Sequence, residues 1–139
     1  ESDKEQFQQR GSKFSQQFSE FEVFEGEFVN GDLTLGENIG DLGGLTIAYK
    51  AYQLSLNGKQ SPVLDGFTGE QRVFLGWGQI WRRLYRDDEL RNRLVTDPHS
   101  PSRYRVNGIL QNMPEFYEAF DVKEGDGHFL NEEERVKIW

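Results

Sequence analysis

Apolar residues recur along this chain at helical rather than alternating intervals. Phe7, Phe14, Phe18 and Phe21 stand seven, four and three apart, with Gln, Lys, Ser and Glu between them. That spacing puts one apolar stripe on an amphipathic helix. Gly26 and the Asn30, Gly31, Asp32 cluster read as loop. A second helix is expected from near Thr34, because Thr34 and Glu37 have capping-box spacing and Ile39, Leu42, Leu45, Ala48, Tyr49 and Tyr52 follow at helical period. Gly40, Gly43 and Gly44 run against that helix, each costing up to about 1 kcal/mol relative to Ala, so the sequence predicts that another backbone or a ligand comes close to them.

The stretch from Asn57 to Thr68, with Gly58, Pro62 and Gly66, reads as a connection. A third helix opened by Thr68 carries Phe74, Trp77, Ile80, Trp81, Leu84 and Tyr85 on one broad stripe. The charges of Arg82, Arg83, Arg86, Asp87, Asp88 and Glu89 read as a solvated end and the start of a further helix through Leu90 and Leu94. Pro98 and Pro101 bracket His99 and preclude a regular helix there, which puts His99 on a stiff loop. Short helices are expected over 105–112 and 114–120, the second with Pro114 at its opening position, and a brief charged helix in the tail beyond Gly125 and Gly127. No strand pattern of any length and no repeat is visible, so the fold class is mainly α.

Composition narrows the chemistry. A chain of 139 residues can bury about 70% of the surface its unfolded form exposes, and eleven Phe, five Tyr and three Trp point to an aromatic-rich core. The formal charge of -8 opposes approach to phosphate backbones and anionic lipid, so nucleic acid is not expected as a partner. No apolar run reaches the roughly 18 residues of a membrane-spanning helix, and the polar start Glu1, Ser2, Asp3, Lys4 has no signal-peptide pattern. The absence of cysteine removes disulfides, thiolate catalysis and cysteine-ligated zinc, and two histidines exclude a site made only of imidazoles.

Few residues stand out as candidates for chemistry. Glu37 and Asp41, four apart, project from one helix face; their structural reading is acidic complementation of a helix start, their functional one a metal role. Asp97 precedes His99 by two residues and could orient its imidazole. Arg105 could bind a carboxylate or a peptide carbonyl, or serve as a surface ion-pair partner. A calcium loop over Asp121 to Glu132 fails, because Lys123 and Gly125 take ligand positions and Asp126 replaces the required glycine. His128 reads as a surface residue.

Two long runs tie these signals together. Val29-Asn-Gly-Asp-Leu-Thr-Leu-Gly-Glu-Asn-Ile-Gly-Asp-Leu-Gly-Gly-Leu45 resembles the zinc-ligand helix of the neprilysin and endothelin-converting-enzyme family of zinc metallopeptidases. Asp97-Pro-His-Ser-Pro-Ser-Arg-Tyr-Arg-Val-Asn-Gly108, followed by Leu110-Gln-Asn112 and a terminal Trp139, resembles a second motif of that family. The likeness extends through Asp65-Gly-Phe-Thr-Gly-Glu-Gln-Arg72 and covers nearly the whole chain. It implies that residues 1–139 are the helical C-terminal portion of a thermolysin-like (zincin) catalytic domain, without the upstream HExxH helix.

The resemblance also implies roles. Glu37 would be the third protein ligand of one catalytic zinc, completed by two histidines outside this chain, and Asp41 would hydrogen-bond a ligand histidine. His99 would stabilise the oxyanion of the tetrahedral intermediate, Asp97 would hold its ring, and Arg105 would hydrogen-bond a substrate backbone carbonyl. The expected activity is that of a zinc metalloendopeptidase in the intact protein, with peptide as substrate and the N-terminal part of the same protease as partner. The alternative is a non-catalytic helical module that keeps the family shape for binding or folding. Animal members carry a cysteine close to the terminal Trp where this chain reads Val136-Lys-Ile-Trp139, which fits a bacterial member. A bacterial envelope location, periplasmic or secreted, follows as an expectation. With one zinc ligand of three, the chain alone is expected to be inactive, and to self-associate through apolar surface left uncovered.

Overall fold

A computed structural model describes residues 2–138 of the chain. Its helices are α1 (Ser2–Ser19), α2 (Gly31–Ser55), α3 (Gly69–Ile80), α4 (Asp87–Thr96), α5 (Ser102–Leu110) and α6 (Pro114–Phe120). A small antiparallel hairpin, β1 (Glu22–Phe24) and β2 (Glu27–Phe28), joins the first two. The mainly α fold class holds. The hairpin is a correction: two and three residues are too short to show alternation, and the turn is made by Gly26 at φ +73°, a conformation glycine adopts without strain. Among the described residues no helix is long and apolar enough to cross a membrane.

The stripe on α1 behaves as its spacing requires at Phe14 and Phe18, both fully buried, whereas Phe7 lies toward the exposed end of the helix. Phe14, Phe18, Phe21 and Tyr104 form a chain of ring contacts that ties α1 to α5, with centroid separations of 5.1, 5.4 and 4.7 Å. Gly108 makes that contact possible, since a Cβ there would stand 2.6 Å from Phe18 Cζ. Leu42, Leu45, Ile109, Met113, Val136 and Ile138 complete the central core. A second aromatic group, Tyr49, Phe74, Phe116 and Phe120, holds α3 and α6 to α2.

The start of α2 differs from expectation. Asn30 caps it, its side chain accepting from the Leu33 N–H at 3.0 Å, and Thr34 already lies inside the helix. Thr34 donates back to the Asn30 carbonyl and accepts from Asn38, so no Thr34–Glu37 capping box forms. Glu37 is thereby left without a structural duty at the helix end. A reciprocal capping box instead forms at Thr68 with Gln71, at the start expected for α3.

The stripe expected on α3 stops early. The helix ends at Ile80, Trp81 is its C-cap, Leu84 is fully exposed and Tyr85 lies in the following connection. Charged residues 82, 83 and 86–89 are solvated, as expected. Two further corrections concern the C-terminal third. The helix expected from Arg105 begins at Ser102, and the brief charged helix of the tail is only a turn over 132–134. Asn112 anchors that tail, accepting from the Val136 N–H at 2.7 Å while donating to Gln17 and to the Gly108 carbonyl. Trp139 lies outside the described residues.

Candidate active site

Two elements build the site. Helix α2 supplies Glu37 and Asp41 from one face, four residues apart as the helical period demands. The loop 97–101 and the first turns of α5 supply Asp97, His99 and Arg105. The five residues singled out in the sequence therefore meet, although the two runs that carry them are far apart in the chain.

The contacts are specific. His99 Nε2 stands 3.1 Å from Glu37 Oε2, and His99 Nδ1 stands 2.7 Å from Asp97 Oδ1. Asp97 also accepts from the His99 backbone N–H at 2.9 Å and forms a short ion pair with Arg93. The imidazole is thus clamped between two carboxylates, and both nitrogens donate at once only when the ring is cationic. Burial raises the Asp97 carboxyl, but hydrogen bonds from the His99 N–H and ring, with the charges of Arg93 and His99, outweigh it and hold Asp97 below its ordinary value.

Arg105 is held from several sides. Its Nε donates to Asp41 Oδ2 at 2.6 Å and its Nη2 to Asp41 Oδ1 at 2.7 Å, a bidentate pair in which both side chains are largely buried. The guanidinium carbon lies 3.9 Å from the Trp81 ring centroid, and Nη2 is 3.8 Å from Glu37 Oε2. The Trp77 indole N–H fixes the backbone by donating to the Arg105 carbonyl at 3.1 Å.

Several positioning residues are not apparent from motif reading alone. Asn38, fully buried, accepts from Ser100 Oγ at 2.8 Å and so pins the His99 loop to α2. The signal available in sequence was a polar residue on the inward face of α2, next to Glu37. Tyr85 reaches across to Ser102, its hydroxyl accepting the Ser102 N–H at 3.3 Å at the open start of α5, which Pro101 cannot cap with a side chain. Trp81, read as part of the core stripe, supports Arg105, and Arg93, which no motif marks in the sequence, supports Asp97.

For a metal, the donor set decides. Glu37 keeps 45% of its side chain exposed, and its Oε1 makes no hydrogen bond among the described residues. A carboxylate oxygen with a free edge suits zinc. Asp41 is engaged by Arg105, and Asp97 and His99 by each other, and among the described residues no three His, Asp or Glu side chains gather as an ion site. Of these residues Glu37 keeps a carboxylate oxygen free to offer a metal ion, and that donor chemistry fits zinc. Gly40 and Gly44 continue the Glu37 face along α2, with nothing within 4 Å of a Cβ placed on either.

Comparison with known proteins identifies the family. Residues 1–136 match peptidase family M13. The chain is 43% identical over 139 residues to endothelin-converting enzyme 1 of Mus musculus, covering 97% of this chain and 18% of that protein. It is 42% identical over 118 residues to human neprilysin, covering 82% of this chain and 15% of that protein. Among solved structures, the zinc metalloprotease of Mycobacterium tuberculosis in complex with an inhibitor superposes with a TM-score of 0.93 at 50% identity, over 96% of this chain and 21% of that one. The chain thus spans about a fifth of the length of these relatives.

Proposed function

The chain belongs to peptidase family M13, and we propose from that premise that it forms part of a zinc-dependent metalloendopeptidase in which Glu37 is one of the protein ligands of a single zinc. Two histidines from the rest of the polypeptide complete the set. When bound, the zinc supplies Lewis-acid polarisation of the scissile carbonyl and lowers the pKa of a bound water.

The remaining work falls to residues of this chain. His99, held through Nδ1 by Asp97, presents Nε2–H toward the place where negative charge develops on the carbonyl oxygen, and a donor fixed beforehand needs no reorganisation during reaction. Contact with Glu37 at 3.1 Å keeps that N–H at the metal side of the site until substrate arrives. Arg105 uses Nε and Nη2 on Asp41, which leaves Nη1 to donate to a substrate backbone carbonyl. Among the described residues Asp41 accepts two hydrogen bonds, one on each oxygen, and a carboxylate has room to accept a further one from a ligand histidine.

The observation that carries this reading is the convergence of His99 and Arg105 on Glu37. The uncovered face of α2, where Ile47 and Leu54 are 67% and 70% exposed beyond Gly40 and Gly44, supports docking of the remainder of the protease there, and self-association of the chain when that part is missing. An envelope location, periplasmic or secreted, belongs to the same proposal. The test is peptide hydrolysis by the intact protein: activity that is lost on zinc removal, restored by zinc and abolished by Glu37→Ala is expected. Hydrolysis that survives Glu37→Ala rejects the reading, and a folded intact protein with neither zinc nor hydrolysis favours a non-catalytic module.

A further inference from the structure

A recess of about 420 Å³ opens beside His99 and Arg105, lined also by Trp81, Arg83, Arg93 and Asp97. On a chain of net charge -8, three arginines here face a single carboxylate. Two of the three are already neutralised. Arg105 is paired to Asp41, and Arg93 is paired to Asp97 and, at 3.1 Å, to Glu89.

Arg83 differs. It has no carboxylate partner among the described residues, and its guanidinium carbon lies 5.3 Å from the Trp81 ring centroid. The same indole carries Arg105 at 3.9 Å, so two cations share one ring, an arrangement that a nearby anion relieves. The Trp81 indole N–H is itself buried without an acceptor, so it makes no contact that would compete for the cations on its ring. A planar guanidinium without a carboxylate partner suits a carboxylate, and the surplus positive charge disfavours Lys or Arg on a ligand.

We propose that Arg83 is a specificity-determining residue that pairs with a carboxylate of the peptide substrate, supplied by a free C-terminus or by an Asp or Glu side chain. This rests on the reading that His99 and Arg105 contact the peptide. Arg83 is exposed, so the pairing is screened by salt and its effect is moderate, about three- to tenfold in kcat/KM and expressed mainly in KM.

The experiment is steady-state kinetics of the intact enzyme on two matched peptide series, free acid against C-terminal amide and Glu against Gln at successive positions, at low and high salt. The series in which the preference appears identifies the source of the carboxylate. The expected result is a preference for the acid form that shrinks with salt, falls to near one in Arg83→Gln through a rise in KM on the acid peptide, and is largely retained in Arg83→Lys. A preference of the same size in Arg83→Gln, or no preference in the wild type, overturns the inference while leaving the proteolytic reading intact. Failure of the wild type to cleave any of these peptides removes the proteolytic reading, and this inference with it.

Discussion

Replacing Asp41 by Asn strips the charge from the carboxylate that holds Arg105 bidentately in a largely buried site. The pair is bidentate, at 2.6 and 2.7 Å, and its side chains are only 8% and 12% exposed. Breaking such a pair from one side typically costs about 3–5 kcal/mol, because the remaining charge stays buried without its partner. Two contacts soften the loss here. The Trp81 ring at 3.9 Å still attracts the guanidinium, and Glu37 Oε2 at 3.8 Å offers partial compensation from a half-exposed carboxylate. The expected destabilisation is therefore at the lower end, about 3 kcal/mol. The assay is urea denaturation followed by tryptophan fluorescence, which Trp77 and Trp81 report from beside the pair. Arg105→Met and the double variant complete the cycle, and removing both charges recovers part of the loss, giving a coupling energy of about 2 kcal/mol. A coupling below about 0.5 kcal/mol is what an ordinary surface ion pair gives, and it would refute the claim that Asp41 holds Arg105 in place.

Two further outcomes follow from other contacts. Gly108→Ala forces a Cβ to within 2.6 Å of Phe18 Cζ and 2.9 Å of Phe21 Cε2, and overpacking of this kind costs about 1–3 kcal/mol against a helix-propensity gain of about 1. A lowered midpoint in thermal unfolding is expected, and an unchanged or raised one contradicts the packing described. Asp97 is held below its ordinary value, against the raising effect of burial, by its bonds to His99 and the charge of Arg93. Its contribution is complete above the unfolded value of about 3.9 and is lost as pH falls through the lower folded one. Stability measured from pH 7 to pH 2 should decline less steeply on the acid side in Asp97→Asn, whereas parallel profiles for the two proteins exclude this linkage.

Much of the helical frame was legible because burial in it follows period. Phe14 and Phe18 could be assigned to the core from spacing, and the start of α3 to Thr68. Thr34 was misread because Thr-x-x-Glu spacing is the same inside a helix as at its start, and Asn30 had a better side chain for the cap. The apolar stripe of α3 ran past the true end of the helix because Trp81 and Tyr85 serve Arg105 and Ser102, partners that local periodicity does not contain. The same limit governs the site. Helical spacing put Glu37 and Asp41 on one face and the two prolines put His99 on a loop, but the closure of these groups on one another depends on Asn38 holding Ser100, a contact between distant parts of the chain.

Zinc-edge anomalous scattering from crystals of the intact protein tests the central claim most directly. The expected result is one zinc peak about 2 Å from a Glu37 carboxylate oxygen, with the peak gone or much weakened in Glu37→Ala. A zinc peak remote from Glu37, or one that keeps its full height in Glu37→Ala, contradicts the account.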